Sequence, residues 1–167
     1  MITRFIRRAL GLPTPENVFF SFHYERDIWR VNQVRNSWVT HHPNQRPFFD
    51  KSLWDEAYGA GDWAIQELID EALMDTEVTA VLIGQQTFGR RWVRYEIEES
   101  IRRNNALLAI EIHNCKTQLG RRDRRGRNPF EEFDLEYDVP LYNWIEDDGP
   151  KEFSEWIREA PRARDIV

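Results

Sequence analysis

The sequence predicts a three-layer, doubly wound α/β fold: a parallel sheet of about five strands with helices on both faces. Two observations carry this. Continuous apolar runs at Val18–Phe22, Val78–Ile83 and Ala106–Ile112 read as strands buried on both sides. Between them lie segments whose apolar residues recur at helical spacing, and strands alternating with helices imply crossover connections. A length of 167 residues suits one core. The expected division is an N-terminal extension over 1–17, one domain over 18–160 and a tail over 161–167.

The elements follow in order. Arg4 to Leu10 mixes Arg4, Arg7 and Arg8 with apolar residues and fits a short amphipathic helix. It has no continuous apolar core of the kind a signal peptide needs. Val18 to Phe22 is the first strand. Ile28, Val31, Val34 and Trp38 place a helix over about 26–38. Pro43 and Pro47 make His41 to Asp50 a loop. Trp63, Ile65, Leu68, Ile69, Ala72 and Leu73 give a second helix. Val78–Ile83 is the second strand, closed by Gly84. A third helix spans Trp92 to Asn104, with Val93, Ile97 and Ile101 on one face and Glu98/Arg102 and Glu99/Arg103 as i,i+4 pairs on the other. Ala106–Ile112 is the third strand and Val139–Trp144 a fourth. Pro150 opens a last helix, with Phe153, Trp156 and Ile157 facing inward.

Composition excludes several classes. A net charge of −6 argues against a protein built to coat nucleic acid. No stretch of 18 apolar residues is present, so no membrane span is expected. Cys115 is the one cysteine, so no internal disulfide can form, which suits a cytoplasmic location. His41, His42, His113 and Cys115 lack the spacing and carboxylate support of a metal site, and no metal is expected. Arg121 to Arg127 is a basic run in an acidic chain, read as a solvated loop.

Ligands of such sheets bind at the carboxyl ends of the strands, near a point where strand order reverses. That directs attention to Ser21–Tyr24, Gly84–Arg91 and His113–Lys116. The turn after the first strand has no glycine-rich phosphate loop. There is no phosphate-binding G-x-x-x-x-G-K-[ST] motif, no aspartate at the end of the central strand, and no G-x-S-x-G elbow. What remains is Thr87 to Glu96, which leaves a strand and enters a helix. Trp92 and Glu96 lie four apart on one helical face. An indole beside a carboxylate offers a flat wall and limits solvent around the acid. The same spacing also fits a core tryptophan and a glutamate that complements the helix N-terminus.

Val18-Phe19-Phe20-Ser21-Phe22 resembles the first-strand motif of Toll/interleukin-receptor (TIR) domains. Trp92-Val93-Arg94-Tyr95-Glu96 resembles their Trp-Cys-x-x-Glu motif, with Val93 in place of the cysteine. The chain is similar to the TIR-like proteins of the bacterial Thoeris anti-phage system over Val18–Tyr24, Val34-Arg35-Asn36, Trp38-Val39-Thr40, Val81–Gly84, Thr87–Glu96 and Asn128-Pro129-Phe130. The resemblance implies a flavodoxin-like, TIR-type sheet. It also implies cleavage of NAD at the nicotinamide–ribose bond, with NAD as substrate and no separate cofactor. The product would be an ADP-ribose-derived signal, often cyclic, that activates a partner effector after a phage-derived trigger. A homo-oligomer on activation is also implied. Glu96 is then the catalytic carboxylate. Ser21, Phe22, His23, Trp54, Arg91 and Trp92 are the expected substrate contacts, with the 41–50 loop and Trp54 as a lid and Arg91 on the pyrophosphate. Two other readings stay open: a non-catalytic TIR interaction module, and another N-ribosyl hydrolase or transferase.

Overall fold

The computed structural model describes residues 17–41 and 51–161. The Arg4–Leu10 segment, the 42–50 part of the expected loop and tail residues 162–167 lie outside the described residues.

Four strands form one parallel sheet in the order β1 (Val18–Phe22), β2 (Val78–Ile83), β3 (Ala106–Glu111) and β4 (Leu141–Asn143). The α/β class is as the sequence predicts, with four strands among the described residues against about five expected. In register, Ser21 stands beside Val81 and Val81 beside Ala109. Strand β4 is shorter than expected, with only three residues. Strand order runs in sequence without reversal, so among the described residues β1 is an edge strand. The expected switch point is therefore absent from this part of the sheet.

Alternation along the strands divides the core in two. Phe20, Ala80, Leu82, Leu108 and Ile110 belong to one packed cluster with α1 (Tyr24–His41) and α5 (Gly149–Glu159). Val31, Val34 and Trp38 supply the buried stripe of α1, and Glu25 and Asp27 in its first turn complement the helix N-terminus. Phe153 of α5 meets Phe20, Trp38, Trp144 and Trp156 at ring-centroid distances of 5.3–6.2 Å. Three of the seven tryptophans are spent here.

The opposite face carries α4 (Arg91–Arg102), whose Val93 and Ile97 pack on Val81, Ile83, Leu107 and Ala109. The buried positions of α4 are Val93, Glu96, Ile97 and Ser100, an i, i+3, i+4, i+7 stripe. Glu96 therefore faces the sheet. At the far end of the stripe, Ser100 Oγ lies 2.7 Å from Thr79 Oγ1 and donates to the Glu96 carbonyl at 2.6 Å. The expected surface pairs on α4 are re-sorted. Glu98 accepts from Arg94 at 2.9 Å rather than from Arg102, while Glu99 takes both Arg102 and Arg103.

Two helices precede β2. The α3 helix (Asp62–Met74) buries Ile65, Ile69, Ala72 and Leu73 and runs beside α4, with Asp62 bonded to Arg91 and Asp70 to Tyr95. Before it comes α2 (Lys51–Ala60), which the sequence reading did not anticipate. Its buried residues, Trp54 and Ala57, are too few to announce a period.

A buried ion network ties α1 to the segment after β3. Arg30 bonds Asp27 at 3.1 Å, Asp123 at 3.1 Å and the Cys115 carbonyl at 3.0 Å. Gly84 sits under this network, where a Cβ would overlap the Asp27 carboxylate. The Arg121–Arg127 run is accordingly not a freely solvated loop. Asp123 is held by Arg26 and Arg30, Arg125 by Glu111, and Arg127 lies over the Phe88 ring and bonds Glu131. All five arginines of the run stay exposed, Arg125 and Arg127 included, as the sequence reading expects.

Candidate active site

A cleft of about 280 Å³ opens at the carboxyl end of β1. Its walls come from three places. Phe22, His23, Tyr24 and Glu25 arrive from the end of β1 and the start of α1. Trp54 and Tyr58 come from α2. Arg90, Arg91, Trp92 and Val93 form the entry to α4. An edge strand leaves its end open on one side, and α2 fills that side with aromatic rings.

Of the residues expected to touch substrate, Phe22, His23, Trp54, Arg91 and Trp92 all line this cleft. Ser21 and Glu96 do not. They form a buried pair next to it. Ser21 immediately precedes Phe22, and Glu96 lies one helical turn beyond Trp92. Ser21 Oγ donates to Glu96 Oε2 at 2.5 Å, and Glu96 is 4% exposed. Burial pushes the Glu96 carboxyl from 4.5 up to about 8, and the Ser21 hydroxyl offsets part of that rise. A glutamate on the core stripe of a helix is costly when ionised. Here its side chain accepts a short hydrogen bond from Ser21.

The aromatic walls are partly engaged with one another. Tyr24 and Trp54 have ring centroids 5.3 Å apart, and Phe22 and Tyr24 6.0 Å apart. Trp92 meets Tyr95 edge-on at 6.0 Å. The Arg91 guanidinium lies 4.6 Å from the Trp92 ring centroid, and its Nη1 bonds Asp62 at 2.5 Å. One face of the indole is thus covered by Arg91, which is itself paired.

Arg90 differs from its neighbour. Its Nε donates to the Gln86 carbonyl at 3.1 Å and its Nη2 to Gln86 Oε1 at 3.2 Å. Both acceptors are neutral, so the side chain is fixed while its charge stays uncompensated by any carboxylate among the described residues. That charge reaches His23. Burial first, and Arg90 second, hold the His23 imidazole below its ordinary value, which favours its neutral form.

Sequence reasoning missed Glu25 and Tyr58 as lining residues, and it covered Tyr24 and Arg90 only as parts of the Ser21–Tyr24 and Gly84–Arg91 segments. Tyr24 and Glu25 directly follow His23, and Arg90 stands inside the Thr87–Glu96 run, so their positions were legible. Tyr58 was not, because nothing local places α2 against the end of β1. His113 and Cys115, in the third expected segment, are buried and outside the cleft, and burial pushes the Cys115 thiol up to about 11. Among the described residues, no group of three His, Cys, Asp or Glu could hold a metal ion.

The fold and site define a parallel α/β protein with an aromatic cleft at its first strand and a buried serine–glutamate pair beside it. Residues 19–117 match the family described as Thoeris protein ThsB, TIR-like domain, a span that includes every residue of the cleft. The chain is also 45% identical over 136 residues to a Bacillus cereus (strain MSX-D12) protein named "Putative cyclic ADP-D-ribose synthase ThsB1", covering 77% of this chain and 71% of that one. The chain belongs to the TIR-like family of Thoeris ThsB proteins.

Proposed function

We propose that residues 18–160 form a TIR-type NAD glycohydrolase/cyclase. It cleaves the nicotinamide–ribose bond of NAD and makes an ADP-ribose-derived, cyclic signal. The buried Ser21–Glu96 pair beside an aromatic, cation-bearing cleft is the observation that carries this reading. The relative's name, a cyclic ADP-D-ribose synthase, agrees with it.

The chemistry suits one carboxylate. Glycosidases pair two, one of them an acid for the leaving oxygen. The nicotinamide of NAD is already cationic. When its bond to the ribose breaks, the electron pair moves to the ring nitrogen and a neutral molecule leaves without a proton. Positive charge then develops on the ribose. Glu96, as carboxylate, holds ribose hydroxyls and stabilises that charge. Ring closure follows when another atom of the same ADP-ribose bonds to the ribose carbon and loses its proton. Aromatic walls keep water from competing for that carbon.

Two features of the apo geometry shape the proposal. First, Glu96 Oε2 is taken by Ser21, which leaves Oε1 as the oxygen to accept from a ribose hydroxyl. Second, Arg90 is better placed than Arg91 to meet the pyrophosphate. Its charge is free, whereas Arg91 is already paired with Asp62. The shift toward neutral His23 lessens its repulsion of a cationic nicotinamide.

The diffusible product would reach a separate effector protein, after a phage-derived trigger, in the cytoplasm. The free, buried thiol of Cys115 suits that compartment. No helix among the described residues is long and apolar enough to cross a membrane.

The test is mass spectrometry of NAD incubated with the purified chain at high concentration. Release of nicotinamide with a product of cyclic ADP-ribose mass is expected, and Glu96→Gln should abolish both. Normal turnover by that variant would remove Glu96 from the chemistry. An inert wild type, even when assembled, would favour the interaction-module reading instead.

A further inference from the structure

Two acidic residues of α3 brace the α4 wall of the cleft. Asp62 and Asp70 stand about two turns apart on α3, and their partners Arg91 and Tyr95 about one turn apart on α4. The Tyr95 hydroxyl bonds the Asp70 carboxylate, at 3.2 Å from each oxygen. The Tyr95 ring in turn meets the Trp92 indole edge-on at 6.0 Å, a favourable aromatic geometry. Tyr95 is not among the residues lining the cleft, so this chain of contacts fixes the indole from behind.

Arg91 does line the cleft, and its guanidinium lies 4.6 Å from the Trp92 ring centroid. The indole surface turned to the cleft therefore already carries a cation. The bond that tethers Arg91 to Asp62 is exposed at both ends, 64% and 60%. An exposed pair holds its side chains weakly. Arg91 is thus kept within reach of the indole but is free to leave it.

We propose that Arg91 is a competing occupant of the Trp92 face, which admits a planar cationic ring and expels the same ring once it is neutral. Any ring that seats there must first displace Arg91, a cost common to every ligand. A pyridinium cation replaces the lost contact with a cation–π contact of its own, and a neutral ring does not. In the proposed reaction the ring arrives as the nicotinamide cation of NAD. When its bond to the ribose breaks, the electron pair passes to the ring nitrogen, the positive charge passes to the ribose, and the ring is left neutral. Its attraction to the indole falls at that step, while that of Arg91 is unchanged. Arg91 then retakes the face, and nicotinamide leaves before its nitrogen can attack the ribose and re-form the bond. The release step rests on the NAD reading; the cation subsite does not.

Two ring analogues test it without turnover. They are 1-methylnicotinamide, a fixed cation, and nicotinamide, its neutral counterpart. Neither carries the phosphates that dominate the affinity of the whole dinucleotide. Titration of the full chain followed by 1H–15N spectra reads the indole N–H signals of the seven tryptophans, with Trp92→Phe assigning that of Trp92. The Trp92 signal should respond to both rings, and the cation should bind at least about threefold more tightly. Arg91→Gln should tighten nicotinamide at least about threefold, Asp62→Asn should act in the same direction by less, and Arg91→Lys should stay near wild type. Rescue by lysine is a result that a merely structural arginine would not give. In NAD turnover, Arg91→Gln should be inhibited by nicotinamide at a correspondingly lower concentration. A Trp92 signal that ignores both rings overturns the proposal, as does equal affinity for the two rings or unchanged nicotinamide binding in Arg91→Gln. If NAD is cleaved and any of these results is found, this inference fails and the NAD reading stands. If NAD is not cleaved but the cation binds Trp92 preferentially and Arg91→Gln tightens nicotinamide, the NAD reading fails and the subsite stands.

Discussion

At the residue scale, Glu96 is defined by where its carboxyl sits. On the core stripe of α4 it is held up to about 8 by burial, with Ser21 working in the opposite direction. The proposed role requires the ionised form. We therefore expect kcat/KM for NAD to rise with pH and level off above about 8. Ser21→Ala removes a hydrogen bond that favours the charged form, so its profile should shift to higher pH. A profile unchanged in that variant would separate Ser21 from the titration. Arg90 and Arg91 give a second contrast. Arg90→Gln should raise KM for NAD about tenfold or more with a smaller change in kcat, the loss expected when a charge-assisted contact is removed from ground and transition states alike. Arg91→Gln should do less, because Arg91 already serves Asp62 and Trp92. Steady-state kinetics on both variants decides between them. Glu96 and Trp92 were legible in sequence as neighbours on one helical face. The burial of one and the Arg91 cover on the other were not, since both depend on what lies opposite α4.

At the element scale, α1 is fixed at its start by the Asp27–Arg30 pair, whose side chains are 0% and 3% exposed. The same Arg30 holds Asp123 and the Cys115 carbonyl, so one guanidinium joins α1 to the segment that caps the sheet. Removing it leaves a desolvated Asp27 without its partner. We expect Arg30→Met to cost about 3–5 kcal/mol of unfolding free energy, measured by urea titration. A cost under about 1 kcal/mol would show that water enters and solvates Asp27. The elements themselves were largely readable: β1, β2, β3 and the helices after them lie within a few residues of their predicted bounds. The exceptions have physical causes. Helix α2 buries only two side chains in the core, so its period is faint. Strand β4 was expected over Val139–Trp144 and is found inside those bounds, but it pairs through only three residues and is exposed at Leu141. The basic run looked solvated because its partners, Glu111, Phe88 and Glu131, come from other elements.

At the scale of the whole molecule, Glu96 also links folding to pH. Its folded value of about 8 lies above its ordinary 4.5. Between those values the folded protein keeps a proton that the unfolded chain has released. This contribution to stability is fully present below 4.5, is lost as pH rises through the window, and changes no further above about 8. Glu96→Gln removes the titration. The variant should therefore be more stable than wild type at pH 8 by on the order of a few kcal/mol, with the difference shrinking toward pH 4.5. Thermal melts of both proteins across that range measure it. Equal melting temperatures at pH 8 would mean that the carboxylate is solvated in the native state. A stabilised protein that has lost activity would mark Glu96 as a residue kept at a cost to the fold, the pattern of a functional group in a core position.

The sequence by itself determined the class of fold, the order of its elements, the family motifs and the residues around which the cleft is built. These follow from short-range rules: apolar runs, helical spacing and the identity of side chains at strand ends. Only the tertiary structure decided that β1 lies at the edge of the described sheet, that α2 closes its open end with Trp54 and Tyr58, and that Ser21 lies within 2.5 Å of Glu96 across 75 positions of chain. It also decided which of two adjacent arginines keeps its charge free. Those outcomes are set by contacts between residues distant in sequence, and no local period or propensity encodes which partner a buried group will meet.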